Sequence, residues 1–303
     1  MNLSLCMAVF NEEKNLHYPL DSAYDLVDEV IIVDGGSTDK TTQIAKSYGN
    51  KVKIIQTDNP SMFHINKQKA LEAAKGEWIL QLDADEAITD ELKQEIVKLL
   101  NGYTVKNSNL AIEQFNNLAF WVPRKNWFLN RFLMKGGQYP DYTIRLYRNG
   151  AVRFPCKDVH ENVVISSKFK VQSAKLQSKV ESEKNVIPAQ AGIQVPDKIG
   201  KDISKIGYLK NPLLHYSDPT FARYWNRWKR YTKLEAKRFV ETNNDSSNKP
   251  CFINYLFIKP IITFFQMYFR HKGFMDGWAG FVFAFFSSIR FIRIYFQYRK
   301  LKV

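Results

Sequence analysis

Short apolar runs alternate with amphipathic stretches over the first hundred residues. Four runs have the length and β-branched content of buried strands: 3–10, 29–33, 52–56 and 78–82. Stretches with apolar residues at helical spacing lie between and after them, at 12–26, 38–48, 64–75 and 89–100. This alternation predicts an α/β domain with a largely parallel sheet and helices on both faces.

The pattern changes after about residue 105. Shorter extended pieces at 118–122, 143–147 and 152–154 predict a mixed extension of the sheet, so we interpret 1–105 and 106–220 as two halves of one domain. Residues 166–205 are rich in Lys, Ser and Gln and lack an apolar period, which predicts a disordered insertion.

The charge is concentrated in the last part of the chain. Residues 221–303 hold 16 of the 44 Lys and Arg but only 4 of the 30 Asp and Glu, so most of the net charge of +14 lies there. The same part is rich in aromatic residues. This combination predicts an anionic partner, either phospholipid or nucleic acid.

Residues 221–303 are predicted to form amphipathic helices. Lys259-Pro260 interrupts the apolar segment 251–269, and Asp276, Arg290 and Arg293 interrupt 274–296. Neither segment offers the ~20 uninterrupted apolar residues of a membrane span. We therefore expect helices that lie in a membrane interface, with packing on the catalytic domain as the alternative. Phe outnumbers the other aromatics in continuous apolar runs, which favours lipid over nucleic acid.

Two features indicate the compartment. The three cysteines lie far apart without metal-ligand spacing, which favours a reducing environment. The chain starts with an apolar run that lacks the basic start and cleavage site of a signal peptide, so we interpret it as the first core strand.

The run Trp78-Ile-Leu-Gln-Leu-Asp-Ala-Asp-Glu86 carries the main chemical signal. Alternate residues of an extended segment point the same way, so Asp83 and Asp85 are expected to face one cation beyond the strand. A divalent cation held by carboxylates and substrate phosphates is the usual way to bind a diphosphate. The pair therefore predicts a Mg²⁺ or Mn²⁺ site.

Two earlier strands also end in polar residues. Asp34 ends the second strand and precedes a Gly-Gly-Ser-Thr turn, where its carboxylate could accept the imino N–H of a uracil ring. Ordinary turn chemistry explains the glycines and Ser37 but does not require Asp34. After the first strand, Asn11 and Glu12 are candidates for contacts with a base and a ribose.

Three motifs together resemble family 2 inverting glycosyltransferases: Ala8-Val-Phe-Asn-Glu-Glu13, Val33-Asp-Gly-Gly-Ser-Thr-Asp39 and Leu82-Asp-Ala-Asp-Glu86. The resemblance implies a GT-A fold, with a nucleotide-sugar half at 1–105, an acceptor half at 106–220 and a UDP-sugar donor. It also implies binding residues for that donor, which are Ala8, Asn11, Glu12, Asp34, Ser37 and Asp83.

The middle of the chain is similar to a narrower group, the lipopolysaccharide-core glucosyltransferases. The similarity lies in residues 137–147, Val159-His-Glu-Asn162, Leu214-His-Tyr216 and Lys272-Gly-Phe-Met-Asp-Gly277. It implies transfer of a hexose, glucose above all, to a lipid-linked saccharide. With the basic aromatic end, it implies an enzyme bound peripherally to the inner face of the cell membrane through anionic lipid, without a nucleic-acid partner.

Inverting transfer needs a general base for the acceptor hydroxyl, and two carboxylates compete for this role. Asp141 precedes an arginine-containing segment as the family's base does, although it could be a turn residue after Pro140. Glu161, in a polar string after His160, could serve instead or form a surface salt bridge. His215 ends an apolar run and is either a third metal ligand or a core histidine.

Two other functions fit parts of the pattern. A synthase that loads sugar onto polyprenyl phosphate would have an anionic acceptor and would need no strong base. A non-enzymatic basic protein on membrane or nucleic acid would show no metal-dependent UDP binding.

Overall fold

The computed structural model describes residues 2–104, 117–156, 163–166, 206–241 and 250–302. The chain divides into two compact units, Met1–Arg124 with Asp141–His215, and Lys125–Pro140 with Tyr216–Val303. The predicted domain boundary near residue 220 stays a prediction. The C-terminal compact unit also includes residues 125–140 and 216–220. Apart from Ser166, the predicted insertion at 166–205 lies outside the described residues.

The first part of the chain follows the predicted alternation closely. Its elements are β1 Leu3–Val9, α1 His17–Ala23, β2 Glu29–Asp34, α2 Thr41–Ser47, β3 Val52–Gln56, α3 His64–Ala73, β4 Trp78–Gln81, β5 Glu86–Ile88 and α4 Asp90–Thr104. Helix α1 is shorter than the predicted 12–26, because residues 13–16 and 24–26 form turns. The four predicted strands and the other helices are confirmed to within a few residues at their ends.

The later elements include more strands than the sequence pattern predicted. They are β6 Ala119–Phe128, β7 Arg131–Phe132, β8 Asp141–Arg148, β9 Val152–Arg153, β10 Val164–Ile165, β11 Ile206–Tyr208, β12 Leu213–Asp218, α5 Phe221–Glu241, α6 Lys259–Phe265 and α7 Gly277–Lys302. Short strands such as β7 and β10 contain too few residues for a period to be read from the sequence.

The main sheet is mixed, in the order β3-β2-β1-β4-β8-β6-β12-β5. The strands β3, β2, β1 and β4 are mutually parallel, whereas β8 runs antiparallel to β4 and β6 antiparallel to β8. Because β2, β1 and β4 are adjacent and parallel, their carboxyl ends share one edge of the sheet, where ligands of α/β proteins bind.

Alternate residues of β1 serve two separate cores, one on each face of the sheet. Leu3, Leu5 and Met7 pack in one cluster, and Cys6 packs in the other. Helices α1 and α4 contribute to the first cluster and α3 to the second. A strand that is buried on both faces consists of a continuous run of apolar residues. Such strands can therefore be recognised in the sequence.

The C-terminal unit contains the predicted helices. Helix α6 has a π turn on each side, Asn254–Ile258 and Gln266–Arg270, and the helix is continuous through all three segments. Pro260 interrupts the apolar run but does not end the helix, because it follows directly on the π turn Asn254–Ile258, where the backbone departs from the i→i−4 bonding that proline disrupts. The buried carboxylate of Asp276 accepts hydrogen bonds from the backbone N–H groups of Met134 (3.1 Å) and Lys135 (2.7 Å).

One helical stretch among the described residues is long and apolar enough, by length and composition, to cross a membrane. It is Gly273–Lys302, with a mean hydropathy of 1.4 over its most apolar 18-residue window. Arg290 and Arg293 interrupt its apolar run, and the expectation that this segment lies in the membrane interface stays a prediction. However, 39% of that window is buried inside the protein, and core helices of soluble proteins meet the same criteria of length and composition.

Candidate active site

The turn after β2 uses the carboxylate of Asp34. Asp34 Oδ2 accepts hydrogen bonds from the backbone N–H groups of Gly36 (3.2 Å) and Ser37 (3.0 Å), and Oδ1 accepts one from the Ser37 hydroxyl. Gly36 has a φ of 80°, which favours glycine. The turn therefore requires Asp34 as well as the glycines, contrary to the expectation from turn chemistry alone. Asp34 is 1% exposed.

The turn after β1 is bound to the turn after β2. The Asn11 N–H donates to Ser37 Oγ (2.9 Å), and Asn11 Oδ1 accepts from the Thr38 N–H (2.8 Å). The Glu12 N–H donates to Thr41 Oγ1 (2.7 Å). Asn11 has a φ of 54°, a strained conformation that asparagine tolerates better than most residues. These contacts hold the two turns in one rigid surface.

Five of the predicted nucleotide-binding residues thus lie together at the carboxyl ends of β1 and β2. Ala8 pairs with Val33 in the parallel ladder, one residue before Asp34. Asn11 and Ser37 are hydrogen-bonded to each other, and Glu12 follows directly. The roles of these residues in binding a nucleotide stay predictions, but their proximity satisfies the geometric requirement for one site.

The Asp-x-Asp pair is not extended as expected. Strand β4 ends at Gln81, and Asp83–Glu86 form a turn in which the Glu86 N–H donates to the Asp83 carbonyl oxygen (3.0 Å). The Asp83 N–H in return donates to Glu86 Oε2 (3.0 Å). Strand alternation therefore does not direct the two carboxylates to one side, and each has different partners.

Asp83 is held between two cationic side chains. Lys67 Nζ contacts Asp83 Oδ1, and Arg145 Nη2 donates to Asp83 Oδ2 at 2.8 Å. Burial alone would raise the pKa of Asp83, but the charges of Arg145 and Lys67 outweigh it and hold that pKa well below its usual range. The negative charge of Asp83 is thus already compensated by Lys67 and Arg145.

Asp85 lies next to His215. Strand β12 pairs antiparallel with β5 and sets His215 opposite Glu86, so the His215 ring reaches the preceding residue. His215 Nε2 is 3.6 Å from Asp85 Oδ1. The ligand prediction for His215 and the core alternative both fit its half-buried position, but its carboxylate neighbour favours a polar role.

The donor set can accommodate a divalent cation with help from a substrate. Among the residues that the structure describes, no three His, Cys, Asp or Glu side chains form a ready-made metal site. Adjacent ligands of an octahedral cation are about 3 Å apart, so a small adjustment would let Asp85 and His215 bind one ion together. Phosphate oxygens would supply the remaining ligands. A nitrogen ligand suits Mn²⁺ better than Mg²⁺, which prefers oxygen.

Arginines connect this region to Asp141. Arg145 Nη2 also donates to Glu86 Oε1 (2.6 Å), and Arg124 Nη1 lies 3.4 Å from the same oxygen. Arg124 Nε and Nη2 both donate to Asp141 Oδ2, at 3.0 and 2.7 Å. The Asp141 side chain is 37% exposed, so a substrate hydroxyl can reach it. Glu161, the competing base, lies outside the described residues.

Sequence reasoning missed three residues of this network. The sequence pattern assigned no role in this network to Lys67, Glu86 or Arg124. The available signal was weak: Glu86 directly follows the acidic pair, and an acid so close to a buried strand must find a cationic partner. The partners come from β6 and β8, which no local pattern reveals.

The family of the chain follows from comparison with known sequences. The model of Glycosyl transferase family 2 matches residues 4–156, just over half of the chain. The chain therefore belongs to the family 2 glycosyltransferases, and its mixed sheet with helices on both faces is the GT-A architecture predicted above.

Several relatives match over different parts of the chain. A TPR repeat-containing protein of Synechococcus elongatus is 37% identical over 148 residues, which is 48% of this chain and 32% of that protein. An uncharacterized glycosyltransferase of Rickettsia typhi is 26% identical over 94% of this chain and 82% of its own length. The lipopolysaccharide core biosynthesis glycosyltransferase LpsC of Rhizobium meliloti is 25% identical over 95% of this chain and 91% of its own length.

Solved structures are more distant. The Staphylococcus aureus TarS fragment 1–349 aligns with 99% of this chain and 92% of its own, at 16% identity and a TM-score of 0.40. The family assignment therefore rests on the sequence match.

Proposed function

We propose that the chain transfers a hexose, specifically glucose, from a UDP-sugar to a lipid-linked saccharide such as the lipopolysaccharide core, with inversion at the anomeric carbon. One observation carries the proposal: the turns bearing Asn11 and Asp34 and the turn bearing Asp83 and Asp85 lie at the same edge of the sheet, where β2, β1 and β4 end. The full-length similarity to LpsC supports the class of acceptor.

The chain's own residues would divide the work at the donor. The turn of Asp34 and Asn11 would bind the uridine, and Asp85 with His215 would hold Mn²⁺ or Mg²⁺. That cation would neutralise the charge that develops on the leaving diphosphate. Lys67 and Arg145 fix Asp83, so the turn that carries Asp85 keeps its position when the diphosphate arrives.

Asp141 is the proposed general base of the transfer. It is partly exposed, and its Oδ2 is oriented by two hydrogen bonds from Arg124, which fixes the carboxylate for an incoming hydroxyl. Asp141→Asn should abolish sugar transfer and leave UDP affinity unchanged within about threefold. Transfer that survives in this variant would assign the base to Glu161, to be tested by Glu161→Gln.

The site of action would be the inner face of the cell membrane. A lipid-linked acceptor is held in the membrane, so an enzyme bound to the membrane surface encounters it more often. The basic, aromatic C-terminal unit suits an anionic membrane surface better than a nucleic acid.

Calorimetry with UDP and Mn²⁺ tests the donor side. UDP binding should strengthen with Mn²⁺, and Asp34→Asn should weaken it at least about tenfold. A donor screen that reads UDP release against membrane extract then identifies the sugar and the acceptor. A folded protein with no measurable UDP affinity would overturn the proposal and favour a non-enzymatic role.

A polyprenyl-phosphate sugar synthase is the second candidate, and the Arg124–Asp141 pair favours it. Arg124 already occupies Asp141 Oδ2 with two hydrogen bonds, and an acceptor that is already anionic would not need this carboxylate as a base. If the double variant Asp141→Asn, Glu161→Gln retains turnover with polyprenyl phosphate, this candidate replaces the first.

A further inference from the structure

An apolar stripe runs along the exposed side of the helix over residues 253–270. Its members recur at every fourth position and are each more than half exposed: Ile253 (61%), Phe257 (54%), Ile261 (57%), Phe265 (57%) and Phe269 (52%). Ile258 and Ile262 widen the stripe and are also exposed. An exposed apolar patch of this size marks an interaction surface.

The two π turns explain why the stripe stays straight. In an α-helix of 3.6 residues per turn, an every-fourth-residue pattern rotates by about 40° at each step and soon winds around the helix. A π turn closes hydrogen bonds from residue i to i+5, so it contains more residues per turn and rotates the pattern back. With π turns at Asn254–Ile258 and Gln266–Arg270 flanking α6, the stripe remains on one face.

The opposite side of this helix is packed. Tyr255 is buried and makes edge contacts with the rings of Phe239 and Phe291. Phe264 and Tyr268 each make an edge contact with Phe281 of α7. These aromatic contacts fix the rotation of the helix in the C-terminal unit, so the stripe must face away from α7.

The apolar surface continues around the turn into α7. Phe274 and Met275 are about half exposed, and Trp278 is 73% exposed. Asp276 lies between them but is buried and accepts from the Met134 and Lys135 amides. The one carboxylate of residues 250–302 is therefore withdrawn from this surface.

The charge around the stripe selects its partner. Residues 250–302 contain eight Lys and Arg against that single Asp, and Arg270 and Lys272 are exposed where the stripe ends. A second copy of this chain would bring two such basic surfaces together, which is unfavourable. An anionic bilayer satisfies both the apolar side chains and the charges.

We propose that the stripe Ile253–Phe269, together with Phe274, Met275 and Trp278, docks on an anionic phospholipid bilayer, with the helix 253–270 parallel to the membrane plane. The helix is about 25 Å long at 1.5 Å per residue, and it is apolar on one side only, as interfacial helices are. The inference rests on the membrane location in the proposed function and assigns it to named side chains. It implies that α7, which packs against this helix, does not cross the bilayer.

Vesicle binding by the full chain tests the docking. The protein should float with phosphatidylcholine vesicles that contain phosphatidylglycerol and bind far more weakly to phosphatidylcholine alone. The triple variant Phe257→Ser, Ile261→Ser, Phe265→Ser should lose about a hundredfold in partition coefficient, because three half-exposed apolar side chains no longer transfer into lipid. The matched control Tyr208→Ser, Tyr231→Ser, also partly exposed aromatics, should bind as the wild type does.

A second pair of measurements keeps the test independent of the triple variant's folding. Arg270→Glu, Lys272→Glu alters only exposed charges and should weaken binding to the anionic vesicles at least tenfold. Brominated lipids should quench wild-type tryptophan fluorescence more than that of Trp278→Phe, with the strongest quenching from bromines close to the headgroups.

The outcomes separate docking from catalysis. Wild-type protein that binds UDP but not anionic vesicles overturns the docking and leaves the donor proposal intact. Wild-type protein that binds anionic vesicles but not UDP overturns the donor proposal and leaves the docking intact. If the wild type does not bind vesicles and mutation of the stripe changes the oligomeric mass in solution, the stripe is instead a contact with a second copy of this chain. Deep quenching of Trp278 would show a span instead.

Discussion

Arg145 Nη2 donates to Glu86 Oε1 at 2.6 Å and to Asp83 Oδ2 at 2.8 Å. One nitrogen thus connects the first acid of the Asp-x-Asp pair to a carboxylate that is fully buried. Arg124 extends the connection from Glu86 to Asp141. Opposite charges alternate along this path, so each buried group is compensated by its neighbours.

Arg145→Met should destabilise the protein by about 3–5 kcal/mol, because the change leaves the buried Glu86 and the partly buried Asp83 without their main cation. Urea unfolding of both proteins measures the difference. Arg148→Met on the same strand is the control: Arg148 pairs with the exposed Glu77 at 3.2 Å, and its loss should cost at most about 1 kcal/mol. Equal losses in the two variants would show that the buried network does not stabilise the fold.

Asp85→Asn and His215→Gln should each reduce the strengthening of UDP binding by Mn²⁺ at least about tenfold, since each removes a ligand of the proposed cation. UDP affinity in the presence of EDTA should not change. Calorimetric titrations with and without Mn²⁺ give both quantities, and His17→Gln, at an exposed position, serves as the control. If both variants keep the full Mn²⁺ effect, the cation binds elsewhere.

Glu29 should make stability depend on pH in the acid range. It accepts hydrogen bonds from Lys53 Nζ (2.7 Å), the Lys75 N–H (2.6 Å) and Ser4 Oγ (2.7 Å). Burial alone would raise the pKa of Glu29, but these bonds outweigh it and lower the pKa to about 2. An unfolded glutamate has a pKa of about 4.3, so the stabilisation is complete above that pH and is lost as the pH falls towards 2.

Glu29→Gln should therefore lower the free energy of unfolding at pH 7 by on the order of 2 kcal/mol and flatten its decline between pH 4.5 and 2. Urea unfolding at a series of pH values provides the measurement. Glu77→Gln, at a largely exposed position, should leave the pH dependence as it is. A Glu29→Gln profile parallel to that of the wild type would contradict the assignment.

Gly280→Ala should destabilise the C-terminal unit by about 3 kcal/mol. A Cβ atom at this position would lie 2.0 Å from the Gly273 carbonyl oxygen and 2.9 Å from Asp276 Cβ, so the backbone would have to move. Thermal unfolding of the full chain measures the loss. Gly102→Ala in α4 is a matched control that should be neutral or stabilise by up to about 1 kcal/mol, because alanine favours helix. A Gly280→Ala protein as stable as wild type would contradict the close packing of this turn.

Much of the first hundred residues is predictable from sequence, because its signals are local. Strands β1, β2 and β4 are buried on both faces and appear as apolar runs, and polar residues mark where each ends. The position of Asp34, Asp83 and Asp85 at one edge of the sheet follows from that pattern and the parallel topology. The family motifs lie in this same part of the chain.

The features that sequence reasoning missed have physical causes that local patterns do not contain. Helix 253–270 passes through Pro260 because π turns flank α6, and the spacing of apolar residues does not reveal a π turn. Asp83 and Asp85 separate because the strand ends at Gln81 and a turn with Glu86 follows. Short strands after residue 119 depend on pairing with distant partners.

By itself the sequence determined the α/β class, the first strands and helices, the acidic motifs and the concentration of basic and aromatic residues at the end. Only the tertiary structure decided that Lys67 and Arg145 bind Asp83, that His215 approaches Asp85, that Arg124 orients Asp141 and that Ile253–Phe269 form an exposed stripe. Periodicity is set by neighbours along the chain and can be read directly. The partners of buried charges are set by sheet order, which joins residues up to some 130 positions apart, such as Asp85 and His215.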